Sequence, residues 1–293
     1  MPLDNKDSIA NTFITAIGVC LVCSLMVSAA AIGLREMQEK NADKDRKKNI
    51  LLAAGFTAND ISDNGGVFEL FTEKVKPIII KLETGMEEGI DTIVASDDGN
   101  TDKMKTPEDA VAMYDQILAA TKKVEGLYTD LADKKADIAG ISRKEIWSHV
   151  YLIKGDSGEI AKYVFPIRGK GLWSILKGFL AVENDFQTIA GITYYEHGET
   201  PGLGGEVDNP TWKKKWIGKK VFDGGEVEIA VIKGVAEADD PYAIDGLSGA
   251  TITSRGVTDM IKYWLGPEGF GPFIELQRKN KTASTANLTS GEG

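Results

Sequence analysis

The chain has 293 residues, of which 42% are hydrophobic, and a formal net charge of -10. This length is enough for one large domain or two small ones, and the negative charge argues against a nucleic-acid partner. There are only two histidines, His149 and His197, which lie far apart in the sequence, so we expect no metal centre built on histidine.

An uncharged segment runs from Ser8 to Leu34, after a short N-terminal segment at residues 1–8. As a helix it would be about 40 Å long, which exceeds the ~30 Å hydrocarbon core of a bilayer. We therefore predict a transmembrane helix over residues 9–34. A cleaved signal peptide is the alternative, because small residues at 28–31 resemble a cleavage site, but the acidic start does not fit a signal peptide.

The only two cysteines, Cys20 and Cys23, lie in this apolar segment, so no disulfide is possible in a soluble domain. We expect small thiols packed in lipid or protein. Half of a metal or iron–sulfur site completed by a partner is the less favoured alternative, because two thiolates cannot close such a site alone.

A charged connector follows at residues 35–50 and is predicted to continue the same helix. More basic residues follow the span than precede it, so the positive-inside rule would leave the large domain in the cytoplasm. That rule is weak for long domains, which are translocated largely regardless of charge.

Further along, Thr106 is expected to cap a helix that has Pro107 in its first turn. Apolar residues from Tyr114 to Leu131 follow a helical period and predict a buried helix face.

From Val150 onward, short β-branched and aromatic runs separated by Gly and Asp predict strands. These runs are "VYLIK", "IAKYVFPI", "ILKGFLAVE", "TIAGITYYEH" and "VEIAVIKG", whereas "TWKKKWIG" is predicted to be helical. The fold class is therefore α+β: an N-terminal single transmembrane helix, then a mostly antiparallel sheet with surrounding helices over residues 51–280. The small polar residues 281–293 predict a disordered tail.

Two glycine-rich stretches follow strands. In "GKGLWS", residues 169–174, glycines permit a tight turn that presents Leu172 and Trp173, although a plain strand connection with a core tryptophan is the alternative. In "HGETPGLGGE", residues 197–206, Pro201 and Gly202 fit the centre of a type II turn. A purely structural turn remains the alternative there.

The stretch "DGLSGATITS", residues 245–254, precedes a predicted amphipathic helix that Gly266 and Pro267 should end. The buried stripe of this helix is predicted to consist of Val257, Met260, Ile261, Trp264 and Leu265. Small residues and several hydroxyls at a helix N-terminus are typical of a phosphate site, because free N–H groups and the helix dipole attract anions. Simple capping of the helix by Thr253 or Ser254 is the alternative. The common nucleotide-binding, metalloprotease and serine-hydrolase motifs are absent from the sequence.

"DGLSGATITS" resembles the D-x-x-S-G-A-T signature of the FMN-binding domain family. "GKGLWS", "ETPGLGG" and "WLGPEGFGPF" resemble the C subunits of Na⁺-translocating NADH:quinone reductases, and the match runs from the anchor to about Lys279. The G subunits of Rnf electron-transport complexes share only "ETPGLG" and "SGAT". Residues 96–136 are the least family-like part of the chain.

The resemblance implies a covalent FMN, joined through its phosphate to the hydroxyl of Thr251, and a flavin transferase that recognises Asp245. The residues expected to hold the phosphate are Ser248, Gly249, Ala250 and Thr253. Those expected to line the flavin ring are Leu172, Trp173, Glu199, Thr200 and Leu203.

The resemblance also implies an electron relay within a larger assembly of the bacterial inner membrane, which passes electrons from NADH toward ubiquinone and exports sodium. The domain would lie on the periplasmic side, against the charge count. The expected partners are the other subunits of that assembly, the flavin transferase and the bilayer. The alternatives are an Rnf-type G subunit, a membrane-anchored flavin-binding regulatory protein and a scaffold without a cofactor.

Overall fold

The computed structural model describes residues 9–87, 126–133 and 135–289. The chain forms two compact units, one ending at Arg46 and the other beginning at Lys47.

The first unit consists of most of helix α1, which runs from Ile9 to Ala53. It contains a window with a mean hydropathy of 2.4 that is not buried within the protein, so it is long and apolar enough to cross a membrane. The predicted continuity of the helix through residues 35–50 is confirmed. Cys20 and Cys23 are both exposed on α1.

The second unit is built on a five-stranded antiparallel sheet with the strand order β1-β4-β5-β6-β7. The strands of this unit are β1 (Val75–Lys81), β2 (Tyr128–Asp130), β3 (Arg143–Glu145), β4 (Trp147–Lys154), β5 (Ile160–Lys170), β6 (Ile175–Glu183), β7 (Ile189–Glu196), β8 (Phe222–Asp223), β9 (Glu226–Val227), β10 (Ala230–Val231) and β11 (Ala243–Ile244). The short pairs are β2–β3, β8–β9 and the parallel pair β10–β11. The mostly antiparallel α+β fold predicted from the sequence is confirmed.

Helices cover both faces of the sheet. After α1, the helices within the described residues are α2 (Ala58–Asp63), α3 (Val67–Lys74), α4 (Pro210–Lys214), α5 (Thr251–Leu265) and α6 (Gly271–Thr289), with a 3₁₀ turn at Gly204–Asp208. Alternate side chains of β5 face opposite cores, because successive residues of a strand point to opposite sides. Phe165 packs with residues of α5 and α6, whereas Val164 packs with the end of α1, α2 and α3.

Strand β1 was not predicted from the sequence. It contains Pro77, and Ile78, Ile79 and Ile80 are all buried, so it shows no alternation of apolar and polar residues. Proline is tolerated because β1 is an edge strand, paired only with β4. The single strand predicted from "VEIAVIKG" is instead divided between β9 and β10.

The helix predicted to begin at Thr106 does not extend to Leu131, so the predicted end of that helix is wrong. Residues 128–130 form strand β2, which pairs with β3, and Gly126 before them has a φ of 82°, which ends any helix there. Residues 106–125 of that prediction lie outside the described residues.

The prediction of a disordered tail from residue 281 is wrong for residues 281–289, which are helical because α6 continues to Thr289. Arg278 donates to the carbonyl of Phe186 over 2.6 Å, and the ammonium of Lys281 lies 5.0 Å from the centre of the Phe186 ring. These contacts anchor the helix to the β6–β7 loop, so its polar composition does not prevent it from continuing. Residues 290–293 lie outside the described residues.

Candidate functional site

The three motifs "GKGLWS", "HGETPGLGGE" and "DGLSGATITS" meet at the carboxylate of Glu199. This residue follows strand β7 and is 5% exposed. Its Oε2 accepts the backbone N–H of Leu172 over 3.1 Å. Its Oε1 accepts the N–H groups of Trp173 and Ser174 over 2.9 and 3.1 Å. Glu199 therefore holds the turn between β5 and β6, which carries "GLWS".

Glu199 is also bonded to the first turn of α5. The hydroxyl of Thr253, which is 1% exposed, donates to Oε2 of Glu199 over 2.6 Å. Glu199 was expected to line the flavin ring and Thr253 to hold the phosphate. In the structure these side chains are buried and bonded to each other, so neither is available to an external ligand.

Gly204 makes this arrangement possible. A Cβ atom at Gly204 would lie 2.6 Å from Oγ1 of Thr253 and 2.7 Å from Oε2 of Glu199. Any side chain there would displace one of the two groups, so the second glycine-rich motif supplies both the carboxylate and the space beside it.

Glu199 is ionised in this setting. Burial raises the pKa of its carboxyl, but the hydrogen bonds from Thr253 and from the amides of the 172–174 turn outweigh that effect and hold the pKa below its ordinary value. Hydrogen bonds to the ionised carboxylate thus stabilise this buried charge.

The predicted type II turn is confirmed. The N–H of Leu203 donates to the carbonyl of Thr200 over 3.1 Å, and Gly202 has a φ of 76° at the third position of the turn. The turn leaves the side chains of Thr200 and Leu203 exposed.

The first turn of α5 is open to a ligand. Ala250 is its N-cap and provides no side-chain cap, while Ser248, Gly249 and Thr251 are exposed. The alternative that Thr253 or Ser254 caps the helix is wrong, because Thr253 donates to Glu199 and Oγ of Ser254 instead accepts the N–H of Leu247. The free N–H groups of a helix start attract anions.

Exposed apolar side chains are present on all three motifs. Trp173 is 68% exposed, and Leu172, Leu203 and Ile252 are exposed as well. The alternative that Trp173 is a core residue is therefore wrong. Ile252 was not identified from the sequence, although its position beside Thr251 and off the buried stripe of α5 is the signal that could have indicated it.

Close packing of α5 on β5 is a second feature that the sequence reasoning missed. A Cβ at Gly256 would lie 2.2 Å from the carbonyl oxygen of Lys170, and one at Gly169 would lie 2.6 Å from Cβ of Met260. The sequence predicts a turn at the glycines of "GKG", but Gly169 also lets the helix that begins at Thr251 lie directly on the strand.

Asp245 is held in the loop that leads to α5. Its carboxylate pairs with Lys215 and accepts the N–H of Ala236 over 3.0 Å, and its carbonyl accepts Nε1 of Trp212 over 2.8 Å. The hydrogen bond from Lys215 keeps the pKa of Asp245 below its ordinary value. Among the residues that the structure describes, no cluster of three or more His, Cys, Asp or Glu side chains is placed to hold a metal ion.

Comparison with known proteins places these motifs in a family. The FMN-binding domain family matches residues 171–266, which include all the site residues described above apart from Lys170 and Gly169. The C subunit of the Na(+)-translocating NADH-quinone reductase of Yersinia pestis is 40% identical, over 94% of this chain and 95% of that protein. Its counterpart in Vibrio anguillarum is 43% identical, over 94% of this chain and 97% of that protein.

A solved structure agrees with this relationship. The crystal structure of Shewanella oneidensis NqrC superposes with a TM-score of 0.67 at 33% identity and covers 82% of this chain and 99% of that chain. The family membership predicted from the four motifs is confirmed. The chain belongs to the family of C subunits of Na⁺-translocating NADH-quinone reductases.

Proposed function

We propose that this chain is the membrane-anchored C subunit of a Na⁺-translocating NADH-quinone reductase and relays electrons through an FMN bound at the start of α5. The observation that carries the proposal is the uncapped first turn of α5, which begins with the exposed Thr251 inside the segment that matches the FMN-binding domain family. The relatives are similar in sequence to this chain along nearly their whole length.

The residues present fit the phosphate of FMN. Gly249 has a φ of 69°, which favours glycine, and the absence of a side chain lets the backbone approach an anion. Ser248 can donate its exposed hydroxyl, and the N–H groups after Ala250 point along the helix axis toward the same place. This turn can therefore hold a negative phosphate without a cationic side chain.

We propose that the attachment is covalent. In this transfer the hydroxyl oxygen of Thr251 forms a bond to phosphorus, the P–O bond to a leaving group on the flavin phosphate breaks, and the hydroxyl proton leaves with that group. The product is therefore heavier by one FMN less the elements of water. Linkage through the phosphate leaves the isoalloxazine ring free to supply one- and two-electron redox chemistry when it is bound. A covalent bond would also prevent loss of the cofactor from an exposed site.

The ring is proposed to lie against the exposed side chains of Leu172, Trp173, Thr200 and Leu203, because apolar and aromatic surfaces suit a planar heteroaromatic ring. Ile252 joins this set on account of its exposure beside Thr251. Glu199 leaves this set, and Thr253 leaves the set expected to hold the phosphate, because their side chains are bonded to each other behind the turn.

Maturation is proposed to require a flavin transferase that recognises Asp245 and the SGAT core. The other reductase subunits are partners, and the apolar part of α1 is proposed to span the bacterial inner membrane with the second unit on the periplasmic side. The orientation rests on the family, because the basic residues after the span argue the other way.

One experiment distinguishes the proposed electron relay from a regulatory protein and from a cofactor-free scaffold. In membranes that contain the whole reductase, the flavin on this chain should be reduced by NADH and reoxidised by ubiquinone, and both steps should stop when the partner subunits are deleted. Flavin that never responds to NADH would favour a regulatory protein. Denatured chain without any flavin would favour a cofactor-free scaffold.

A further inference from the structure

We infer that Glu199 is the positioning residue of the flavin site: its buried carboxylate joins the Trp173 turn to the first turn of α5 so that the two surfaces meet the cofactor as one rigid unit. The inference rests on the proposed flavin at Thr251. The position of the carboxylate itself does not depend on a cofactor.

Glu199 accepts hydrogen bonds from three consecutive residues of one turn of the chain. The Trp173 turn, residues 171–174, is exposed at its apolar side chains, yet the backbone N–H groups of residues 172–174 all donate to the single carboxylate of Glu199. Gly171 adds to this, because a Cβ there would lie 2.6 Å from Oε1 of Glu199. The turn is therefore fixed from behind by Glu199, while its outer face stays open.

The second half of the link is the hydroxyl of Thr253, which lies in the same helical turn as Thr251. Movement of the Trp173 turn away from α5 would leave a buried carboxylate with fewer donors, and that is costly. The distance between the tryptophan and the threonine that bears the flavin is thus set by one side chain.

The same carboxylate would act on the flavin electrostatically. A fixed negative charge disfavours addition of electrons to a nearby group, and burial weakens the screening of that charge by water and salt. Glu199 should therefore lower the reduction potential of the flavin.

The proposed variant is Glu199→Gln, which keeps the size of the side chain but removes its charge and one acceptor. The control is Glu196→Gln, which removes an equal charge from an exposed residue that pairs with Lys177. Each is made in full-length protein with Thr251 intact and again with Thr251→Ala, so that the link can be measured with and without flavin.

The first readout is amide hydrogen exchange of residues 172–174 in the Thr251→Ala background. Loss of hydrogen bonds to a charged acceptor should speed exchange by about tenfold or more in Glu199→Gln and not in Glu196→Gln. Iodide quenching of tryptophan fluorescence checks the same turn, because the other four tryptophans are buried and Trp173 alone is exposed. Unchanged exchange and quenching would overturn the inference.

The second readout is the midpoint potential of the flavin in the Thr251-containing proteins. Glu199→Gln should shift it to a more positive value than Glu196→Gln does, whereas a purely structural brace would leave the two equal. Equal potentials would overturn the positioning role even if exchange increased. A chain without flavin would count against the proposed function, and the exchange result in the Thr251→Ala background would still test the link.

If Glu199→Gln does not fold, Thr253→Val takes its place. It keeps the three amide bonds and the volume of the side chain but removes the bond to α5. It should alter the flavin potential and absorption while the exchange of residues 172–174 changes little. A potential and spectrum identical to those of the unmodified protein would contradict the inference.

Discussion

Gly249 and Leu203 touch across the mouth of the site. A Cβ at Gly249 would lie 2.9 Å from Cδ2 of Leu203, so the side chain of Leu203 takes up the space that a side chain at residue 249 would need. Leu203 is exposed and its side chain is flexible, so it could move away from a new methyl group. Such a move would change the surface offered to the flavin more than it would change the fold.

Gly249→Ala should therefore change the attachment or the absorption of the flavin, whereas the control variant Gly218→Ala should change neither. Gly218 also has a positive φ, 83°, but nothing lies within 4 Å of a Cβ placed there. Both variants should lose about 1–2 kcal/mol of stability from backbone strain. Only Gly249→Ala should reduce flavin attachment or shift the flavin absorption, as in-gel fluorescence and spectroscopy would show. Equal flavin content and spectra in the two variants would argue against contact at this point.

The stability contributed by Glu199 should depend on pH. Its pKa is lower in the folded protein than in the unfolded chain, so this stability is present above the unfolded pKa of about 4.3 and is lost as pH falls through the folded pKa. In flavin-free protein near pH 7, Glu199→Gln should lower the free energy of unfolding by about 1.5–3 kcal/mol. The difference from the unmodified side chain should shrink as the pH falls below the unfolded pKa. Urea unfolding at several pH values measures this, and a difference independent of pH would show that ionised Glu199 does not stabilise the fold.

Trp173→Leu distinguishes a ligand contact from a packing role. Because the indole is exposed, its loss should change the free energy of unfolding by less than about 0.5 kcal/mol. The flavin absorption or reduction potential should shift while Thr251 remains modified. Trp212→Leu is the control, since Trp212 is buried and donates to the carbonyl of Asp245, and it should lower stability instead. An unchanged flavin spectrum and potential in Trp173→Leu would remove this residue from the ring site.

The orientation of the second unit is open to a reporter test. Alkaline phosphatase fused at the C-terminal end of the chain, beyond α6, should be active if the unit lies outside the cytoplasm. Fusion after Lys279 would cut α6 before Lys281, which bonds to Asn184, so the later site preserves that contact. Activity from a cytoplasm-only reporter at the same site would mean that the basic residues after the span determine the topology.

Much of the fold was predictable because local patterns agreed with the final packing. The runs in β4 to β7 contain β-branched and aromatic residues between turn residues, and the stripe of Val257, Met260 and Ile261 gave α5 directly. Strand β1 was missed because both of its faces are buried, so the residues carry no period of two. The extent of α6 was missed because Arg278 and Lys281 contact a loop that is distant in sequence.

The motifs that form the site could be predicted from the sequence, but the roles of their individual side chains could not. The sequence indicated that Glu199 and Thr253 matter, since Glu199 lies in a glycine-rich loop and Thr253 lies among the hydroxyl residues at the start of a predicted helix. It could not indicate that they bond to each other, because that contact depends on how β7 and α5 lie against the sheet. The sequence also could not show that Gly169, Gly204 and Gly256 are needed for close packing, because that role is visible only once the neighbouring atoms are known.

Mass spectrometry of the full-length protein, purified from membranes, tests the central claim most directly. A tryptic peptide that contains Thr251 should be heavier by one FMN less water, and the denatured band should fluoresce under ultraviolet light. Thr251→Ala should abolish both signals, because no hydroxyl remains to form the phosphate bond. Persistent fluorescence in Thr251→Ala, or an unmodified Thr251 peptide in protein that carries flavin, would contradict the account.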